Sequence, residues 1–397
     1  MRIGMLTPSW PGGETANGIT TSIFNLEKGL SKTGHEGVIL TGSITSPSET
    51  RIIPLPQFRK WTAIEKANWM LGRDIATVPI TANAILTAAK EAIDRFGIEV
   101  LLVEETHGFA QFLSPHLKVP VVVVLHGPWF LLEEHVPKNS LIRIDSGRSK
   151  REGKGLECCA GIIGPSKSVI DKTRQKYRVE NIPTTVIPNS IQSVPELSYD
   201  DLTPKETKSI LYVGRFDSIK GGDVILRAFD RLVSLGQDAF LTFVGPDQGV
   251  RGAQGESVSL EDFCQRLSVD ARSRIVITGS ISKSEVQNLR YTHAVTVVSS
   301  RYETFPYAVL EAMAVGSATI ASSVGGIPEL MKDGVTGRFF ANEDVDALAD
   351  ILNELLNDLD LCKQLGHAAR ARAIDAFNPE ITAQKLVRFL EQDVLKA

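Results

Sequence analysis

Four cysteines in 397 residues, two adjacent (Cys158, Cys159) and two scattered (Cys264, Cys362), form neither a disulfide framework nor a Cys-x-x-Cys metal spacing. A reducing compartment with buried structural thiols is therefore expected. Long hydrophobic runs are also missing: the longest, Val119 to Leu125, is far short of the roughly eighteen residues that a membrane-spanning helix needs. The opening Met1-Arg2-Ile3-Gly4-Met5-Leu6 reads as a strand entering a Thr-Pro turn, not as a secretion signal, so a cytoplasmic location is expected, with at most peripheral membrane contact. No Gly-x-Ser-x-Gly elbow and no Gly-x-Gly-x-x-Gly at the first strand are present, which removes the usual hydrolase nucleophile and dinucleotide fingerprints. A net charge of −4 without a recognised binding motif argues against nucleic acid as a partner.

What is present fits an ordinary α/β protein. Apolar runs alternate with helical stretches, the pattern of parallel sheets built from βαβ units. Strands are expected at Ile3–Leu6, Gly37–Leu40, Val100–Val103, Val121–Leu125, Gly161–Ile163 and Thr185–Ile187, and again at Ile210–Val213, Phe240–Val244, Ile275–Ile277, Ala294–Val298 and Ala318–Ala321. The length suits two domains. Residues 1–190 and 209–378 are assigned to them, 191–208 to a polar linker marked by Pro195 and Pro204, and 379–397 to a terminal helix. Charge is divided unevenly, net +4 over the first 190 residues and −8 over the rest. The positive excess sits at Phe58 to Arg73, where aromatics interleave with bases, and at Lys138 to Lys154. Either stretch suits an anionic membrane or a phosphate-bearing acceptor, and equally a helix with a solvated basic face.

The chemistry concentrates in the second half. Residues 301–311, Arg-Tyr-Glu-Thr-Phe-Pro-Tyr-Ala-Val-Leu-Glu, place Glu303 and Glu311 eight positions apart around Pro306, which suits a helix start, with Gly316 at the helix end. Unpaired N–H groups at such a start make a site for a phosphate flanked by two hydroxyl-seeking acids. A solvated pair of acids at an ordinary helix start would read the same. About ninety residues upstream, Ile210 to Gly221 is a buried strand followed by Arg215 and Lys220, two cations placed to neutralise a diphosphate. Gly279 and the turn Val324-Gly325-Gly326-Ile327-Pro328-Glu329 add two further strand ends.

In order and spacing, these segments resemble the retaining glycosyltransferases of family 4, most strongly from Ile210 to about Leu356. The resemblance implies the GT-B fold, two Rossmann-like parallel-sheet domains facing across a cleft with a helical C-terminal tail. It also implies a hexosyltransferase that works without a metal or bound cofactor. The expected donor is a UDP-hexose, with GDP-mannose as the alternative, and the expected acceptor a glycan or lipid-linked hydroxyl. Arg215 and Lys220 would hold the leaving diphosphate. Glu303 would hold sugar hydroxyls, Glu311 the ribose, and the backbone of Thr304, Phe305 and Pro306 the diphosphate and sugar, with Gly279 beside the nucleotide. His126, after the run Val121 to Leu125, would donate a hydrogen bond near the sugar. The glycine loop against the donor would use Gly18, with Gly13 in reserve. Ser166 in Gly164-Pro165-Ser166-Lys167 would line the cleft, or serve only as a helix cap.

The chain departs from the family at Asn189-Ser190-Ile191-Gln192, where an acid usually follows, and at Gly37. Gly147 to Lys154 only imitates a P-loop, and Asp358-Leu359-Asp360 imitates a metal-binding motif within the helical tail. Two other activities share the features: epimerisation of nucleotide sugars on the same frame, and non-catalytic nucleotide-sugar binding.

Overall fold

The computed structural model describes residues 1–11, 17–46, 50–56, 77–135, 147–252 and 255–396. Gly13, the stretch Phe58 to Arg73 and residues 138–146 lie outside the described residues. The chain divides into two compact units: the described residues of 1–133, 142–190 and 379–397 form one, and those of 134–141 and 191–378 the other.

The first unit is built on seven parallel strands: β1 (Arg2–Thr7), β2 (Glu36–Thr41), β3 (Arg51–Pro54), β4 (Val100–Glu104), β5 (Val121–Val124), β6 (Gly161–Gly164) and β7 (Thr184–Val186), in the order β3-β2-β1-β4-β5-β6-β7. Runs such as Val-Leu-Leu-Val and Val-Val-Val-Val are apolar on both faces because helices cover both sides of the sheet. The order reverses between β1 and β4. Strand β3 was not expected from the sequence; it is four residues long, ends in Pro54 and lies at a sheet edge, where a proline removes no needed donor.

The helix Gly18–Lys32 follows β1, capped by Asn17, whose side chain accepts from the Ile19 and Thr20 N–H groups at 3.0 and 3.2 Å. Ile23, Leu26 and Leu30 turn inward and share a core with Ala383, Leu386 and Phe389 of the C-terminal helix Pro379–Phe389. Gly29 lets the two helices touch.

The second unit holds β8 (Ser209–Val213), β9 (Phe216–Asp217), β10 (Phe240–Val244), β11 (Asp247–Arg251), β12 (Ser257–Val258), β13 (Ile275–Gly279), β14 (Val295–Val298), β15 (Ala318–Ser322) and β16 (Arg338–Phe340). Six make a parallel sheet, β13-β10-β8-β14-β15-β16, and β12-β11-β9 form a small sheet beside it. From β8 the chain steps outward to β10 and β13, then crosses to the other side of β8 to lay down β14 and β15. The reversal falls between β8 and β14.

The segment expected as a linker is packed on this unit. Leu197 N donates to Val315 O at 2.6 Å, and the Tyr199 hydroxyl, on a residue 6% exposed, accepts from Ala318 N at 2.6 Å and donates towards Ala294 O at 3.3 Å. Its prolines and acids mark turns, but one aromatic anchor ties it down. Asn189 and Ser190 accept from Ser22 and Asn25 in the first unit (3.0 and 2.6 Å), while Ile191 N donates to Phe377 O in the second (2.8 Å). Three of the four cysteines are buried and Cys158 is exposed. Among the described residues no helix is long and apolar enough to cross a membrane.

A Cβ on Gly29 would lie 2.0 Å from the Pro379 carbonyl oxygen. Gly29→Ala is expected to push the C-terminal helix away and destabilise the protein by about 1–3 kcal/mol. Lys32→Ala, which removes only the exposed pair with Glu380, is expected to change stability by about 0.5 kcal/mol or less. Urea unfolding of the two variants checks the contrast.

Candidate active site

Four strand ends meet at the carboxyl edge of the second unit's sheet, where open α/β sheets bind ligands beside a reversal in strand order. The loop leaving β8 folds around the buried Tyr212, whose hydroxyl donates to Lys220 O at 2.9 Å and lies 3.3 Å from Arg215 O. Asp217, 6% exposed, completes the loop: Oδ1 accepts from Ile219 N and Lys220 N at 2.9 and 2.7 Å, and Oδ2 accepts from Arg215 Nε at 2.6 Å. One buried carboxylate thus sets the position of both cations named from the sequence.

Gly221 ends this loop in the left-handed conformation, φ +64°, and caps the helix Gly222–Ser234. Ser299, just past β14, donates its hydroxyl to Gly221 O at 2.7 Å, and a Cβ on Gly221 would stand 1.9 Å from Ser299 O. This backbone contact across the strand reversal brings Lys220 to Glu303. Lys220 Nζ donates to Glu303 Oε1 at 2.6 Å, and Ser300 Oγ donates to the same oxygen at 2.7 Å. Glu303 is 8% exposed. Its carbonyl accepts from Gly326 N at 3.0 Å, and Gly325, φ +53°, has no room for a Cβ, which would meet Glu303 O at 1.8 Å. The Gly-Gly turn after β15 is therefore a brace for Glu303.

Thr304, Phe305 and Pro306 lead into the helix Tyr307–Val315. Pro306 is its cap and not its first residue, because its ψ of 130° is extended. The Phe305 ring belongs to the core, 5.5 Å from the Phe377 ring, so only its backbone is offered to a ligand. Glu311 stands in the second turn, where Arg290 Nη2 donates to its Oε2 at 2.6 Å, a partner the sequence did not suggest. Gly279 ends β13 with φ +66°, and its carbonyl accepts from Gly245 N at 2.9 Å. Lys220 and Glu303 are thus in contact, Arg215 shares the loop of Lys220, and Gly279 lies two strands from β8 on the same edge.

His126 and Gly18 belong to the first unit. Gly18 opens its helix and is exposed. His126 follows β5, half-buried, and burial holds its imidazole below the ordinary pKa against the opposing pull of Glu105, so it is neutral near pH 7. Sequence reasoning missed what holds it. Glu105, 3% exposed after β4, accepts from His126 N at 2.9 Å and from Gly127 N at 2.8 Å. The signal was two acids, Glu104-Glu105, closing an apolar strand. His107, two residues on, is left-handed at φ 59°. Ser166 caps the helix Lys167–Lys176, its hydroxyl accepting from Val169 N at 3.3 Å.

The Gly147 to Lys154 stretch is mostly helix, Arg148–Glu157. Its Arg148 and the fully buried Glu152 pair at 2.8 Å, and Glu152 also accepts from Trp129 N at 2.8 Å. Burial pushes Glu104 up to about 7, with the charge of Glu105 adding and Arg148 opposing, and it raises Glu152 to about 7 as well.

Two measurements test this geometry. Gly221→Ala is expected to lower the thermal midpoint by more than Gly236→Ala, because strain and a backbone clash coincide at Gly221, whereas at Gly236, also left-handed but with open space, the substitution costs only the strain. For Glu104 and Glu152, the folded state holds protons more tightly than the unfolded chain, whose value is 4.5, so their contribution to stability falls as pH rises from 4.5 to about 7. Glu104→Gln should flatten the decline in thermal midpoint between about pH 5 and about pH 8.

Family comparisons agree with this architecture. The model described as Glycosyltransferase Family 4 matches residues 16–193, and that described as Glycosyl transferases group 1 matches residues 195–372. An uncharacterized glycosyltransferase of Methanocaldococcus jannaschii is 23% identical, with 98% of this chain and 97% of that protein aligned. Among solved structures, the sucrose-phosphate synthase of Thermosynechococcus elongatus superposes with a TM-score of 0.76 at 21% identity, covering 100% of both chains. Anabaena HepE, solved in complex with UDP-glucose, gives a TM-score of 0.69 at 16% identity, covering 98% of this chain and 99% of that one. Two parallel-sheet α/β units with a helical C-terminal tail, matched to these neighbours, make the GT-B fold. The chain belongs to glycosyltransferase family 4 and is a glycosyltransferase.

Proposed function

We propose that this glycosyltransferase moves a hexosyl group from a nucleoside-diphosphate sugar to a hydroxyl of a glycan or lipid-linked acceptor, with retention at the anomeric carbon. The observation that carries the reading is the Lys220–Glu303 contact at the strand reversal, with Arg215 fixed on the same loop by Asp217. A lysine ammonium has three donors, and one goes to Glu303, which leaves two for phosphate oxygens. As the bond between the anomeric carbon and the phosphate oxygen breaks, negative charge grows on the diphosphate, and two held cations beside a helix start stabilise it. The acceptor oxygen forms the new bond from the face the diphosphate leaves, and its proton passes to the departing phosphate oxygen. Glu303 accepts from hydroxyls of the transferred sugar and Glu311 from the ribose. Gly279 and the backbone of residues 304–306 shape the donor site. His126 and Gly18 are assigned their parts on family resemblance, the histidine as a neutral hydrogen-bonding group near the sugar.

A UDP-hexose is the favoured donor, supported by the likeness to Anabaena HepE with UDP-glucose, and GDP-mannose is next. Arg215 and Lys220 supply the charge that a divalent ion provides elsewhere, so activity is expected to survive EDTA.

Labelled UDP-glucose, UDP-N-acetylglucosamine and GDP-mannose, incubated with a panel of acceptors with and without EDTA, test this. Transfer with retained configuration, seen by NMR of the product, is the expected result; inversion or strict metal dependence would overturn the mechanism. Donor interconversion with no acceptor present would mark an epimerase instead. Arg215→Ala and Lys220→Ala are each expected to lower kcat by about 10²–10³. Both variants should also lower the thermal midpoint, because each removes the cation paired with a buried carboxylate, Glu303 for Lys220 and Asp217 for Arg215.

A further inference from the structure

Glu311 is not simply an exposed acid on a helix. Its Oε2 is taken by Arg290, and its Oε1 has no hydrogen-bond partner among the described residues. Arg290 comes from the helix Lys283–Tyr291, which connects β13 to β14, and only 2% of its side chain is exposed, against 31% for Glu311. It ranks among the largest fully buried side chains of the protein. Glu311 is the only acid paired with it among the described residues, and its Nε is buried without a hydrogen-bond partner.

Burying a guanidinium is costly unless it is well paired, and an apolar residue of similar volume would fill the space at lower cost. Arginine here does something an apolar side chain cannot. A glutamate on a helix surface has several rotamers, and ordering them when a ligand arrives subtracts from affinity. A buried guanidinium holding one oxygen narrows the rotamers of the carboxylate in advance and leaves the second oxygen to accept.

We infer that Arg290 is a positioning residue for Glu311: by holding Oε2 it presents Oε1 to the ribose hydroxyls, and so sets the preference for ribonucleotides over deoxyribonucleotides. The inference rests on the proposed reading that Glu311 binds the ribose. A strut that only filled the core would affect every nucleotide alike. Positioning affects the hydroxyls that Glu311 contacts.

The test uses calorimetric binding to the full chain of UDP, GDP and ADP, followed by the 2′-deoxy and 3′-deoxy analogues of whichever binds most tightly. The wild type is expected to prefer the ribose form over at least one analogue by about ten- to a hundredfold, the range for a hydrogen bond to a charged group. Glu311→Gln should cut that ratio to a few-fold. Arg290→Met should lower it by about tenfold while the affinity of the discriminated analogue changes by less than about twofold. Arg290→Lys, which keeps the charge and loses the planar guanidinium, should fall between, and it serves if the methionine variant does not fold. In the Glu311→Gln background, Arg290→Met should lower the ratio no further. Equal losses for ribose and deoxyribose forms in the Arg290 variants, or an unchanged ratio, would overturn the positioning role. A ratio that survives Glu311→Gln would instead sink the ribose assignment and the inference with it, and failure of all three nucleotides to bind would sink the proposed function.

Discussion

The close approach of the Gly221 turn to the Ser299 carbonyl is the constraint on which the candidate site depends. Because no side chain fits between them, the loops after β8 and β14 meet backbone to backbone. A lysine on one loop then reaches a glutamate on the other. The groups beside that junction are arranged around it: Tyr212 and Asp217 shape the first loop, and Ser300 and the Gly325-Gly326 turn brace the second. Rigid packing of small residues is what lets charged side chains be placed here with little freedom. The function proposed needs that rigidity, since cations that stabilise a departing phosphate act best when they are already in place.

Much of this was legible in the sequence because it is local. Buried parallel strands advertise themselves as short β-branched runs, and all eleven expected strands are present. The elements that escaped notice are edge pieces such as β3 and β16, and the two-residue strands β9 and β12, which have too few apolar residues to show a period. The proximity of Lys220 and Glu303 was inferred from fold resemblance and strand-end logic, and the structure supplies the contact itself. Partners that are distant in sequence and carry no motif were invisible. Nothing near Glu311 announces Arg290, which reads as one more basic residue on a helix, and Tyr199 reads as part of a polar turn.

The first unit repeats the same design with different chemistry. Its strand order reverses between β1 and β4, and the carboxylate just past β4 clamps the turn after β5 that carries His126. The acids there crowd one another in a poorly solvated place, and two of them are pushed up to about 7. The pattern Glu-Glu-Thr-His closing an apolar strand was available to inspection, but its meaning depends on which strand lies next to β4.

Asp217 and Glu303 give the site a further property. Each engages one of the two cations, so the loop holds internal counter-ions and not bare positive charge. An arriving anion shares the two cations with carboxylates already seated there. Stray phosphate or chloride, which brings no sugar hydroxyls for Glu303, is the poorer match. In the proposed reading, a donor that brings a pyrophosphate together with sugar hydroxyls for Glu303 engages the cations and one of their counter-ions at once, which makes the loop a filter for the whole donor and not for its charge alone.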